Sequence, residues 1–328
     1  MTMFSLRVRT EEFPVAGRFA ISRGSRSEIH VVLVEITGEG YVGRGECVPY
    51  ARYDETVEGV IETILSVESV LKTGISRETL QNLLPSGAAR NALDCALWDW
   101  EAKAAGKRVW DIAGSPELLP VTTAYTLSFA PPEEMAAHAS KNAHRPLLKV
   151  KLGAANDLPR IEAVRAAAPH STIIVDANEG WTADDYEALA PQLVAHNVAL
   201  VEQPFPAGKD DVLKDVERVL PVCADESCHD RASLERLRGK YDFINIKLDK
   251  TGGLTEAIAL KKEALAAGFG IMVGCMLGTS LAMAPALLLA QDAKFVDLDG
   301  PLLLSSDRPN ALTFKGSLIE PPTQNLWG

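Results

Sequence analysis

Residues 147–178 read LLKVKLGAANDLPRIEAVRAAAPHSTIIVDAN. The segment opens on a short apolar run carrying Lys149 and Lys151. It passes through the helical stretch IEAVRAAA and closes on a second apolar run ending in Asp176. A unit of this length holds one strand, one helix and two loops. The unit then recurs. VALVEQP brings Glu202, PVCADES brings Asp225 and FINIKLD brings Lys247, so ionisable positions follow one another at intervals of roughly 22 to 26 residues, each just after an apolar run.

Working outward, strand-like runs fall near 121–127, 147–151, 172–176, 198–202, 222–225, 242–247, 270–274 and 295–298. Helical stretches such as YEALAPQLVAH and TEAIALKKEALAAG separate most of them. Eight strands in one parallel succession predict a (β/α) barrel of modified TIM type within the α/β class. An open doubly wound sheet is the competing arrangement, but no glycine-rich dinucleotide fingerprint follows any of these runs.

The first 115 residues break the rhythm. FSLRVRT alternates, HVVLVEIT is a β-branched run, and EGYVGRGE supplies a turn between neighbours. Helical stretches follow, ending with AARNALDCALWDWEAKAAG, in which Ala92, Cys95, Ala96, Asp99 and Trp100 share a face and Gly106 marks a stop. The expected division is an α+β capping domain over 1–115, a barrel over 116–300, and a Pro- and Ser-rich segment over 301–328 that returns to the capping domain.

A chain of 328 residues with 47% hydrophobic content is long enough for a barrel plus a second unit. Its net charge of −11 argues against nucleic acid or an anionic membrane as partner, since both reward a basic face. No apolar stretch reaches spanning length, and MTMFSLRVRTEEF is charged where a signal peptide is apolar, so a cytoplasmic protein is expected. Cys47, Cys95, Cys223, Cys228 and Cys275 show no metal-type pairing and read as reduced, mostly buried thiols.

In a closed parallel barrel the C-terminal strand ends converge on one mouth. Asp176, Glu202 and Asp225 would meet there, and three adjacent carboxylates repel unless a cation neutralises them. Each acid alone reads better as a helix cap. Three at successive strand ends suit Mg²⁺, with room left for water and substrate. Lys149 and Lys151, two residues apart, project to one side of their strand. Lys247 lies four units on, across the mouth from Lys151. A neighbouring ammonium and a divalent cation both push a lysine toward the neutral form that a base needs. The plain alternative is a pair of salt-bridged or exposed lysines. Two bases on opposite sides of one carbon take a proton from one face and return it to the other, which is racemisation or epimerisation. Because loss of a proton next to a carboxylate builds a second negative charge, a divalent cation on that carboxylate stabilises the change.

These motifs resemble the enolase superfamily, within its muconate lactonising subgroup, over essentially the whole chain. The resemblance makes Lys149 and Lys151 the Lys-x-Lys motif, with Lys149 beside the substrate and Lys151 and Lys247 as the bases. Asp176, Glu202 and Asp225 match the ligands of one Mg²⁺ per subunit. Asp297-Leu298-Asp299 matches the Asp-x-Asp signature of the dipeptide epimerases, in which the pair holds the substrate's α-ammonium; alone it reads as a turn or cap. Arg26, in SRGSRSE, is placed by the resemblance in a mobile capping loop, where it reads a distal carboxylate; neighbouring Arg23 reads as a structural loop residue. GAARNALDCALWD, CADESCH, NIKLDKTGGLTEA and GCMLGTS resemble the L-Ala-D/L-Glu epimerases of murein peptide recycling. The implied partner is a small dipeptide, and the oligomeric state stays open, a homo-oligomer included. A dipeptide epimerase of other specificity, a cycloisomerase or an o-succinylbenzoate synthase shares the lysines and metal. A silent scaffold barrel is the alternative from outside enzymology.

Overall fold

The computed structural model describes residues 2–21, 24–153 and 157–328. It begins with an antiparallel sheet of three strands, β1 (Ser5–Ile21), β2 (Gly24–Gly38) and β3 (Tyr41–Cys47). The central strand is apolar on both sides because both are covered. Val32, Val34 and Ile36 pack with Phe4 and the following helices, whereas Ile29 and Val31 pack with Val48, Met276 and Leu304. Glu39 and Gly40, both at positive φ, form the two-residue turn into β3. SRGSRSE, expected as a loop, is largely strand: past an irregularity between Pro14 and Phe19, Phe19 pairs with Arg26 and Ile21 with Gly24. Arg23 lies outside the described residues.

The helices of this region are Val57–Ser66, Glu68–Thr73, Arg77–Leu83, Ala88–Ala105 and the single turn Val109–Ile112. Thr56 and Ser76 cap the first and third through their side-chain oxygens. The helix Ala88–Ala105 lies directly on β3, and the two glycines of YVGRGE make that approach feasible. A Cβ at Gly45 would stand 2.0 Å from the Ala92 carbonyl oxygen, and one at Gly43 would stand 2.1 Å from that of Ala96. The helix buries more than the one face expected. Its opposite side docks on the barrel, where Asp94 accepts from the Thr255 amide (2.9 Å), Trp98 donates to the Thr255 hydroxyl (3.0 Å) and Asn91 donates to Asp249 (2.8 Å).

The run at 121–127 splits in two. β4 (Val121–Thr122) leaves the barrel to pair with a C-terminal strand, and β5 (Tyr125–Leu127) starts the barrel. The barrel continues with β6 (Leu147–Lys151), β7 (Thr172–Asp176), β8 (Val198–Glu202), β9 (Val222–Ala224), β10 (Phe243–Ile246), β11 (Gly270–Gly274) and β12 (Phe295–Asp297). All eight are parallel neighbours in chain order, as the spacing predicts. The ends meet where the Ala124 amide donates to the Val296 carbonyl (2.7 Å) and the Leu298 amide to the Thr123 hydroxyl (2.9 Å). The result is a nearly closed barrel under an antiparallel capping sheet.

β13 (Phe314–Lys315) and β14 (Leu318–Ile319) complete a small sheet with β4. Beyond it the chain contacts the first region: Trp327 donates to the Cys95 carbonyl (3.0 Å) and the Gly328 amide to Asp99 (2.7 Å). All five cysteines are free thiols. Among the described residues, no helix is long and apolar enough to cross a membrane.

Candidate active site at the barrel mouth

The register of the barrel sets the site. Lys151 pairs with Asp176, and Asp176 pairs with Glu202, so three strand-end side chains stand level. Asp225 and Lys247 come one residue after β9 and β10, at the same rim. All of these side chains are buried, as are Lys149, Asp297 and Asp299. Asp176, Glu202 and Asp225 each offer an oxygen within 4.8 Å of the others. Three hard, anionic oxygen donors in one buried cluster fit a divalent cation such as Mg²⁺.

In the structure the lysines serve as counter-charges. Lys149 Nζ lies 2.6 Å from Glu202, 2.7 Å from Asp297 and 3.1 Å from Asp176. Lys151 Nζ lies 2.7 Å from Asp176, and Lys247 Nζ lies 2.7 Å from Asp225. Burial alone would lower Lys149 and Lys247, but the carboxylates around them outweigh it and hold both well above the usual lysine range. The push toward neutrality expected from the sequence rests on a divalent cation held by these acids.

The acids divide in the same way. Burial raises Asp176 and Asp225, yet Lys151 and Lys149 pull the first below the ordinary carboxylate range, and Lys247 and Lys250 pull down the second. Glu202 is pushed up to about 7 by burial and by Asp176 beside it. Asp299 also stands at about 7, from burial and the adjacent Asp297; it accepts from the Thr126 amide at 2.6 Å. Asp297 Oδ1 is buried with no hydrogen-bond partner among the described residues.

A cavity of about 520 Å³ opens above the acids. Lys151, Asp225 and Lys247 form its floor, while Arg26, Tyr50 and Tyr53 of the capping region contribute to its walls. A narrower pocket beside it is lined by Lys149, Thr126, Asp297 and Asp299, with Leu277 and Leu303. Arg26 is exposed and rests its guanidinium over the Tyr50 ring, 5.6 Å from the centroid. It therefore sits on a strand at the cavity wall rather than on a loop.

Two residues of the site escaped the sequence reading. Asn245 donates to Glu202 Oε1 at 2.7 Å, and Lys250 lies 2.6 Å from Asp225 Oδ1. Strand alternation in FINIKLD places Asn245 on the same side as Lys247, and that signal was available. Lys250 follows the strand end by one helical turn, where a lysine ordinarily faces water.

Residues 3–114 match the mandelate racemase/muconate lactonizing enzyme N-terminal domain, and residues 134–322 match the enolase C-terminal domain-like family. The L-Ala-D/L-Glu epimerase of Escherichia coli K12 is 48% identical over 314 residues, 95% of this chain and 98% of its own length. The N-acetyl-D-glutamate racemase of a Pseudoalteromonas species is 45% identical over 300 residues, 91% of this chain and 95% of its own. A solved structure from Agrobacterium tumefaciens superposes with a TM-score of 0.97 at 53% identity, covering 99% of this chain and all of that one. It is described as an enolase family member with homology to dipeptide epimerases, with bound sodium, L-Ala-L-Glu and an ordered loop. With the barrel, its capping sheet and its strand-end acids in place, this chain belongs to the mandelate racemase/muconate lactonizing enzyme family of the enolase superfamily, among its epimerases.

Proposed function

We propose that this protein epimerises the C-terminal residue of a dipeptide, L-Ala-D/L-Glu above all, with Mg²⁺ held by Asp176, Glu202 and Asp225. The observation that carries the reading is the placement of Lys151 and Lys247. They stand at the ends of β6 and β10, strands four positions apart in an eight-stranded barrel, each lysine against a different acid of one triad and both lining the cavity. A cation on the three acids would absorb the charge that builds up as a proton leaves the carbon next to the substrate carboxylate. It would also replace the lysines as the acids' counter-charge and so favour their neutral form. Lys151 then removes the α-proton from one face of the substrate, and Lys247 delivers a proton to the other.

Charge complementarity supports the dipeptide. Asp297 and Asp299 present carboxylates to an α-ammonium. Arg26, at the far wall, presents a guanidinium to the side-chain carboxylate of a C-terminal glutamate. Lys149 gathers Glu202, Asp297 and Asp176 around one buried ammonium, which fixes their side chains and places a positive charge beside the substrate carboxylate. The division into a capping domain, a barrel and a returning segment at 1–115, 116–300 and 301–328 belongs to this reading.

One observation favours a second reading, racemisation of an N-acylated glutamate. Asp297 Oδ2 is already engaged by Lys149, which leaves less negative charge for an ammonium. The test of both is incubation of the Mg²⁺-loaded protein in D₂O with L-Ala-L-Glu and, separately, N-acetyl-L-glutamate. The proposal expects the dipeptide to gain one mass unit at the α-carbon and to appear as both epimers, with loss of both on chelation. Exchange confined to the acetylated amino acid moves the assignment to the second reading. Exchange in neither, with dipeptides of other side chains also silent, overturns both.

A further inference from the structure

We infer that Lys250 restricts Asp225 to a single cation-facing oxygen and thereby sets which divalent cation the three-acid site prefers. The inference rests on the reading of Asp225 as a cation ligand.

Lys250 lies in the one-turn helix Leu248–Thr251, immediately after Lys247. Its side chain folds back beneath the barrel rim and is fully buried. The ammonium has three hydrogens and finds three acceptors: Asp225 Oδ1 at 2.6 Å, the Asp225 carbonyl at 2.5 Å and the Asn245 carbonyl at 3.0 Å. The other carboxylate oxygen, Oδ2, meets Lys247 at 2.7 Å. The two lysines differ in access. Lys247 lines the main cavity, whereas Lys250 lines neither that cavity nor the pocket of the Asp pair. A cation entering from the mouth therefore meets Oδ2 and can displace Lys247. Lys250 has nowhere to go, and its departure would take a charged donor from Oδ1 and from two main-chain carbonyls, of which that of Asp225 would keep only the Cys228 amide at 3.1 Å.

The turn that carries Lys250 is itself anchored. Arg90, from the capping helix Ala88–Ala105, donates to the carbonyls of Thr251 (2.7 Å) and Gly252 (3.0 Å). Gly252 ends the turn at φ 72°, and a Cβ there would stand 2.5 Å from Arg90 Nε. Asn245 treats the neighbouring acid in a parallel way, holding Glu202 Oε1 at 2.7 Å. Residues within and just after β10 thus tie one oxygen of each of two acids from the side away from the cavity.

A carboxylate with one oxygen tied binds through the other. That suits Mg²⁺, which keeps a compact octahedral shell, and works against Ca²⁺, which takes more oxygens and readily accepts both from one carboxylate. Lys250 acts through Asp225 and is a positioning residue in this scheme.

The experiment titrates the purified protein, Lys250→Met and Lys250→Gln with MgCl₂ and with CaCl₂ by calorimetry, with circular dichroism to verify folding. Lys250→Met is expected to shift the Ca²⁺-to-Mg²⁺ affinity ratio toward Ca²⁺ by about tenfold or more. Lys250→Gln, which keeps an N–H for Oδ1, is expected to shift it less. An unchanged ratio in folded Lys250→Met overturns the inference, and so does a glutamine variant that shifts as far as the methionine one. Crystals of the unmodified protein soaked in MnCl₂ give a test that needs no variant. One Asp225 oxygen on the manganese with Lys250 still on Oδ1 supports the inference, and both oxygens on the metal overturn it. Failure of the unmodified protein to bind either cation overturns the metal reading beneath it, a different outcome from binding with unaltered selectivity.

Discussion

Lys149 donates to Asp297 at 2.7 Å, and that bond makes the two aspartates of the Asp-x-Asp pair unequal. Asp297 is tied to a buried ammonium that also holds Glu202 and Asp176. Asp299 accepts from neutral Thr126, and burial together with Asp297 pushes it up to about 7. An arriving substrate ammonium favours the ionised form of Asp299. For free L-Ala-L-Glu, kcat/KM is therefore expected to fall as pH drops through about 7, with a limb that disappears in Asp299→Asn. Loss of a buried charge pair costs about 2 to 5 kcal/mol, so Asp299→Asn should lower kcat/KM by roughly two orders of magnitude. Asp297→Asn should also disturb Lys149 and harm substrates with and without an ammonium. Equal turnover of free and N-acetylated substrates would show that the pair is not an ammonium site.

The same buried acids predict an unusual stability profile. Glu202, Asp249 and Asp299 stand at about 7 and Asp94 at about 6, each raised chiefly by burial. In the unfolded chain they titrate near 4. Between roughly pH 4 and 7 the native state therefore holds more protons than the unfolded one, and stability falls as pH rises. Asp176 and Asp225 have the reverse shift, so their contribution is complete above about pH 4 and is lost only in stronger acid. In EDTA the melting temperature should decline from pH 5.5 to 8. Mg²⁺ removes the repulsion felt by Glu202, so the rise in melting temperature on adding Mg²⁺ should grow over the same interval. A melting temperature that climbs steadily with pH in EDTA would contradict this account.

The barrel was legible because the unit spacing of its strand-end charges is a local property of the sequence. The Mg²⁺-type acids and three lysines came with it, since each sits at a rim that strand parity identifies. What escaped depends on partners far along the chain. Nothing within 121–127 shows that Val121 and Thr122 pair with residues some two hundred positions on. The helix Ala88–Ala105 reads as amphipathic, yet Asp94 and Asn91 on its polar side are satisfied by Thr255 and Asp249 of the barrel. Lys250 went unread because its three acceptors, two of them main-chain carbonyls, come together only once the barrel has closed. The raised direction at Lys149 and Lys247 reflects the acids around them, whereas the expected push toward neutrality rests on a cation held by those acids.

Lys151 and Lys247 contact different acids of the triad, and the proposed two-base scheme gives each of them one stereoisomer. Replacing either with Ala should all but stop epimerisation in both directions, a loss of about 10² to 10⁴ in kcat given the size of general-base contributions. Exchange should separate the two. In D₂O, one variant should still exchange the α-proton of the L,L dipeptide and the other that of the L,D dipeptide, read by mass spectrometry on each pure isomer. A single-lysine variant that interconverts the isomers at near the unmodified rate would sink the two-base scheme.

The proposed function assigns to Arg26 the choice of side chain on the residue being epimerised. It stands on β2 at the cavity wall, paired across the sheet with Phe19, and its guanidinium lies over Tyr50. The strand fixes its backbone, and the aromatic ring orients its planar head through the face of the guanidinium rather than through its N–H donors. Arg26→Met keeps the apolar stem and removes the charge. For L-Ala-L-Glu, kcat/KM should fall by about two orders of magnitude or more, in line with an unpaired charge in a partly closed site. Dipeptides with an apolar second residue should lose less than about tenfold, because they offer nothing for the guanidinium to hold. Tyr50→Leu should produce a milder version of the same pattern. A cation–π contact is worth about 0.5 to 1 kcal/mol at an exposed site, which corresponds to a loss of only a few fold. Steady-state kinetics on a panel of L-Ala-X dipeptides measures all of this. Uniform losses across acidic and apolar X would show that Arg26 supports the capping strand rather than the substrate carboxylate.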